Sequence, residues 1–248
     1  MASTSETGHE KNVYNLEVLN SSIAGYGTTY NPTKGTLRAA DLIALAVSAR
    51  TQFLTEKGLL PAYTIAVAAR ELAFEPLPKI MTRVLASIKS STTTDRLDQN
   101  INSLIKVIKG SNRKPKKTDE EKAALAAQGK TVKEISTSRQ SYELRVENLD
   151  LLIKYLGGIQ QYMPNEPELK LATLTVLSAD LKTKNAAVLA ALTPYNNARI
   201  ARNALLYKPV TGLVDTALDA KQYIKSLFGA TSPQYKQISK LEFKTVKS

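Results

Sequence analysis

A shift of 132 residues lays this chain on itself. Tyr30–Phe74 aligns without a gap on Tyr162–Leu206, with 12 identities in 45 positions. The identical pairs are Tyr30/Tyr162, Pro32/Pro164, Leu37/Leu169, Ala40/Ala172, Leu42/Leu174, Leu45/Leu177, Thr51/Thr183, Leu60/Leu192, Tyr63/Tyr195, Ala66/Ala198, Ala69/Ala201 and Arg70/Arg202. Shared Ala and Leu content accounts for a few of these matches but not for the Tyr, Pro and Arg pairs. A weaker match, at a shift of 48, sets Asn100, Ile101, Leu104, Ile105, Lys106 and Gly110 against Asn148, Leu149, Leu152, Ile153, Lys154 and Gly158. Two copies are too few for a solenoid, which needs about three. The plainer account of a duplication is that two copies close a core that one leaves open; the functional account is a paired binding surface or a polymerising rod.

The spacing of apolar residues is helical nearly everywhere. Leu37 to Leu54 predicts a helix from a cap at Thr33 to Lys57, with Gly58 as a break. A second helix starts near Pro61 and is kinked by Pro76 and Pro78. A third covers 96–109, ended by Gly110. Thr118 opens a short helix to Gln128, and Val132–Tyr155 reads as a fourth long one. A fifth runs over 166–192, and a sixth from Pro194 to Phe228, interrupted at Pro209. Residues 13–33, rich in Asn, Ser and Gly, read as irregular, and 1–12 as a disordered tail. Leu241, Phe243 and Thr245 alternate with Glu242 and Lys244 like a short strand. Leu16-Glu17-Val18 alternates too, which allows the two ends to pair.

The prediction is therefore all-α: an elongated antiparallel bundle of about six long helices, with a short β pairing of the termini. Residues 13–248 form a single domain holding two repeats, 30–74 and 162–206, and a central helix pair with a basic loop, 95–158. Ala and Leu dominate the apolar residues, Trp is absent and aromatics make up 6%, which favours helix over sheet.

The chemistry the chain can carry is restricted. With no Cys there is no disulfide, thiolate site or cysteine nucleophile. The single histidine, His9, falls in the expected tail, which argues against Ser-His-Asp triads and histidine zinc sites. The pairs Glu120/Glu121 and Glu166/Glu168 sit in first turns of helices, where acids favour the helix dipole. Gly129-Lys130-Thr131 lacks the first glycine of a phosphate loop, because position 124 is Ala124. No catalytic residue, metal or cofactor is expected.

The net charge of +12 leaves nucleic acid or an acidic partner open. Lys109, Arg113, Lys114, Lys116 and Lys117 form the densest basic cluster. A loop of this kind contacts phosphates without reading sequence, while the bland alternative is a solvated loop. Tyr63, Arg70, Tyr195 and Arg202 are repeat-equivalent and read as structural pairs, each Arg holding a neighbouring helix or covering apolar surface. No apolar run nears the roughly 18–20 residues of a membrane helix, so a cytoplasmic protein is expected.

The strings Tyr30–Thr33, Pro164–Leu177, Asn197–Asn203 and Gly229–Lys236 resemble those of a family of uncharacterised bacterial hypothetical proteins of about this length. The resemblance covers most of the chain after residue 12. It implies one continuous unit of bacterial origin and no catalytic residues. The expectation is a non-enzymatic structural or interaction protein, a homo-oligomer or filament; the alternative is non-specific nucleic-acid binding through the basic loop.

Overall fold

The computed structural model describes residues 4–110, 127 and 141–246. The chain is all-α, with no strand among the described residues. The helices are α1 (Thr4–Tyr26), α2 (Ala39–Phe74), α3 (Leu77–Lys89), α4 (Asp95–Ile108), α5 (Tyr142–Gly157), α6 (Leu171–Tyr207), α7 (Leu213–Phe228) and α8 (Pro233–Ser239). Short 3-10 turns at Gly35–Leu37 and Pro167–Leu169 lead into α2 and α6. The chain divides into two compact units, one of Met1–Thr64 with Ala191–Ser248, the other of Ile65–Ala190.

The first unit corrects the reading of the N-terminus. Residues 4–12 of the expected tail and residues 13–26 of the expected irregular stretch are helical: α1 runs from Thr4 to Tyr26. Its Asn, Ser and Gly content is poor for a helix. The stripe His9, Asn12, Val13, Leu16, Leu19 and Ile23 is nonetheless buried on one face. Each fully buried Val, Leu or Ile side chain contributes about 1.5–3 kcal/mol, enough to override propensity. This stripe packs with Leu42, Ala46 and Ala49 of α2, Leu206 of α6, Leu213, Ala217, Ala220 and Ile224 of α7, and Ile238 and Phe243.

The second unit is built likewise. Leu77, Met81, Val84 and Ile88 of α3, Ile101 and Ile105 of α4, Val146, Leu149, Leu152 and Leu156 of α5, and Leu174 and Leu181 of α6 share a core. The residues before 141 in the expected fourth helix lie outside the described residues, as does the helix expected at 118–128.

Helix boundaries depart from expectation at the prolines. Pro61 and Pro194 do not start helices; they sit inside α2 and α6. A proline there lacks the N–H for the carbonyl four residues back. Those carbonyls belong to Lys57 and Ala190, both exposed, so water can satisfy them. The breaks fall instead at Pro76-Leu77-Pro78 and at Pro209. The second break is tight: Val210 has φ 69°, its N–H donating to Asp215 Oδ2 at 2.8 Å. Gly212 follows where a Cβ would lie 2.6 Å from the Lys208 carbonyl oxygen, so only glycine fits.

The β pairing of the termini is absent as well. Residues 241–246 form no strand, because they lie against a helix. Asn12 and Asn15 of α1, not backbone groups, hold them.

Local geometry recurs at the positions matched in sequence. The Tyr30 hydroxyl donates to the Leu37 carbonyl at 2.8 Å, and the Tyr162 hydroxyl to the Leu169 carbonyl at 2.6 Å. Burial raises the pKa of both phenols, that of Tyr162 to about 12. Arg50 forks onto Glu17 at 2.9 and 2.7 Å, while Lys182 holds Asp150 at 2.5 Å. Burial raises the Asp150 pKa, but hydrogen bonds from Lys182 and Ser178 outweigh it, leaving the carboxyl below its ordinary value.

Candidate functional site

The densest buried polar cluster lies in the first unit, where α1, α6 and the C-terminal segment meet. His9, on the buried stripe of α1, is 1% exposed. Its Nδ1 lies 2.5 Å from the hydroxyl of Tyr207, the last residue of α6. That hydroxyl also accepts from Asn12 Nδ2 at 3.3 Å and from the Val246 backbone amide. With two donors on its oxygen, the phenol sends its own proton to His9 Nδ1, which assigns the neutral ring as acceptor. Burial lowers the His9 pKa to about 4, helped by the Arg202 and Arg199 charges.

One of these cations is held internally. Arg202, 1% exposed, pairs with buried Glu56 of α2 through Nη1 and donates to Asn203 Oδ1 from Nε and Nη2 at 3.1 and 2.9 Å. A buried pair of this kind stabilises only while both partners remain. Gln52 donates to the Ala198 carbonyl at 3.0 Å, a second polar link between α2 and α6.

The two helices also bring together the tyrosines named from sequence. Tyr63 and Tyr195 stack on each other, centroids 5.7 Å apart and planes 11° from parallel. The arginines diverge. Arg70 lies over the Tyr142 ring, 4.0 Å from its centroid, and its Nε is buried without a hydrogen-bond partner. The residue matched to Glu56 at the 132-residue shift is Val188, so no carboxylate stands at that position. Of the basic cluster, Lys109 closes α4 and donates to Thr82 Oγ1 at 2.9 Å. Arg113, Lys114, Lys116 and Lys117 lie outside the described residues.

Elsewhere the structure offers less chemistry. A cleft of about 570 Å³ in the second unit is lined by Arg83, Ser87, Ser91, Met163, Asn165 and Glu166, among others. Its arginine is already paired, with Glu168 at 3.0 Å. Among the described residues no three His, Asp or Glu side chains gather as metal ligands. No described helix is long and apolar enough to cross a membrane.

The chain matches no protein-family profile, no curated protein and no solved structure. Its function is therefore argued from its own residues. Asn12 and Asn15 escaped the sequence reading, and His9 was set aside, because residues 1–33 read as tail and irregular chain. The signal was present: positions 9, 12, 13, 16, 19 and 23 keep one helical face.

Proposed function

We propose that this protein is a non-enzymatic structural or interaction protein that associates with further copies of itself, and that it is built from two copies of one helical unit. The observation that carries the first part is an exposed apolar row on α2. Ile43, Val47 and Leu54 stand on one side of the helix and are 50%, 60% and 56% exposed. Beside them the charges are already paired: Arg50 with Glu10 and Glu17, Lys57 with Glu10. A chain of net charge +12 repels its copies, and a locally neutral border is where two of them approach at least cost. Identical rows facing each other across a two-fold axis make a self-complementary contact. In the other unit Ile65 and Leu72, seven residues apart, are 68% and 70% exposed.

Three constant offsets support the duplication. The buried row Val13, Leu16, Leu19, Ile23 of α1 recurs as Val146, Leu149, Leu152, Leu156 of α5, offset by 133 residues. The Tyr-to-Leu hydrogen bond recurs at 132. The row Leu77, Met81, Val84, Ile88 of α3 recurs as Leu213, Ala217, Ala220, Ile224 of α7 at 136. The offset changes only in loops, as insertions between two copies would make it do.

Light scattering on eluting protein over a wide concentration range tests the reading. The expected result is a mass rising above that of one chain, returned to one chain by Val47→Glu with Leu54→Glu. A single-chain mass at every concentration overturns it.

A further inference from the structure

The C-terminal segment is held by its main chain, and side chains do the holding. Lys221 Nζ of α7 donates to the carbonyls of Ser239 and Leu241 at 3.0 and 2.6 Å. Asn15 donates to the Glu242 carbonyl at 2.7 Å. Asn12 grips Lys244 at both ends, its Nδ2 donating to the carbonyl at 2.8 Å and its Oδ1 accepting from the amide at 3.1 Å. The Tyr207 hydroxyl takes the amide of Val246. An amide side chain bonding both backbone groups of one residue does what a neighbouring strand does, from a helix. Between these contacts Phe243, 7% exposed, fills a place in the core. At the far end Val246 rests on Gly8, where a Cβ would come within 2.8 Å of its Cγ2.

Everything needed to recognise this segment is thus on α1, α6 and α7. The segment itself forms no helix or strand beyond Ser239, and it ends the described chain. Leaving the groove breaks none of its own secondary structure, and the groove's polar groups become hydrated when it leaves. We propose that this groove is an exchangeable binding site for the extended segment 241–246, filled by a chain's own segment or by the same segment of a second copy. The contacts are chemically identical in the two cases. The choice is set by concentration: a short tether holds the chain's own segment at an effective millimolar level, and exchange grows as free chain approaches that. This rests on the reading that copies of the chain associate, and it names a contact other than the α2 row.

The absence of cysteine makes the test clean. A Cβ at Gly8 lies 4.0 Å from the Val246 Cβ, inside the roughly 3.5–4.5 Å range of disulfides. One chain carrying both Gly8→Cys and Val246→Cys should close internally when oxidised dilute, seen as a change in gel mobility and in mass. If no internal bond forms, the docked geometry is wrong and the proposal falls. Chains carrying Gly8→Cys alone are then mixed, concentrated, with chains carrying Val246→Cys alone. The expected product is a disulfide-linked pair of unlike chains, enriched over a control in which Gly25→Cys, in open space on the same helix, replaces Gly8→Cys. Asn12→Ala in the Val246→Cys chain, which frees that chain's own segment while the groove of the Gly8→Cys chain stays intact, should raise the yield roughly fivefold. Asn15→Ala is the second variant should Asn12→Ala fail to fold by circular dichroism. A yield no higher than the Gly25→Cys control, or one indifferent to Asn12→Ala and Asn15→Ala, overturns the exchange. Repeating the mixture with Val47→Glu and Leu54→Glu separates the two contacts: persistence of the cross-link shows exchange without the α2 row, and its disappearance contradicts an independent groove.

Discussion

His9 should make this protein acid-sensitive in a defined window. Its ordinary pKa is 6.5 and its folded value about 4, displaced first by burial and then by Arg202 and Arg199. The folded state therefore favours the neutral ring. Its contribution is fully present above pH 6.5. It declines as pH falls, because the unfolded chain binds a proton the folded chain refuses, and it is spent below about pH 4. At 1.36 kcal/mol per pKa unit the full displacement corresponds to at most ~3.4 kcal/mol, and relaxation of the site around a charged ring leaves roughly 1–2 kcal/mol. The hydrogen bonds act in the same direction: a protonated Nδ1 becomes a donor facing an oxygen that already accepts from Asn12 and Val246. Urea denaturation at pH 7.5, 5.5 and 4 should show stability falling for the parent chain. His9→Gln keeps a polar group but cannot titrate, so its slope should be shallower by about 1–2 kcal/mol across the window, after the general loss from Asp150 and other carboxylates is shared by both chains. Equal slopes for the two chains refute the reasoning.

Breaking the buried pair by Glu56→Gln or Arg202→Met should cost about 3–5 kcal/mol in chemical denaturation, and the double replacement distinctly less than the sum. Tyr30→Phe and Tyr162→Phe each strand a carbonyl, Leu37 or Leu169, and should each cost about 1–2 kcal/mol by the same assay, a similar size because the geometry is the same. Tyr63→Leu removes the stack with Tyr195 but keeps apolar bulk; its loss should be about 0.5–1.5 kcal/mol and should vanish in a Tyr195→Leu background.

Helical periodicity was readable wherever burial is one-sided, as in α3 and α4. The sequence misled where two signals compete. In α1, Asn20, Ser21, Ser22 and Gly25 signalled a loop locally, while the buried row from His9 to Ile23 decided for a helix through contacts about 200 residues away, which no local window contains. In the last residues the alternation was real, with Phe243 buried between exposed Glu242 and Lys244. Only the partner was misjudged, because side-chain amides can replace a strand edge and periodicity carries no mark of that. Arg70 and Arg202 look equivalent in sequence yet differ in surroundings, because Glu56 in one environment has Val188 as its counterpart in the other.

The division into units bears on how the chain is made. The unit of Ile65–Ala190 is complete in the growing chain before the other can close, because that one joins Met1–Thr64 to Ala191–Ser248. At synthesis rates of roughly 5–20 residues per second, α1 emerges first and waits on the order of ten seconds or more for α7 and the last residues. During that wait Val13, Leu16, Leu19 and Ile23 have only Leu42, Ala46 and Ala49 of α2 to pack on, and lack the α6, α7 and C-terminal part of their core. α1 is thus completed long after it is made, and it is where a chaperone, or another nascent copy, would meet this protein.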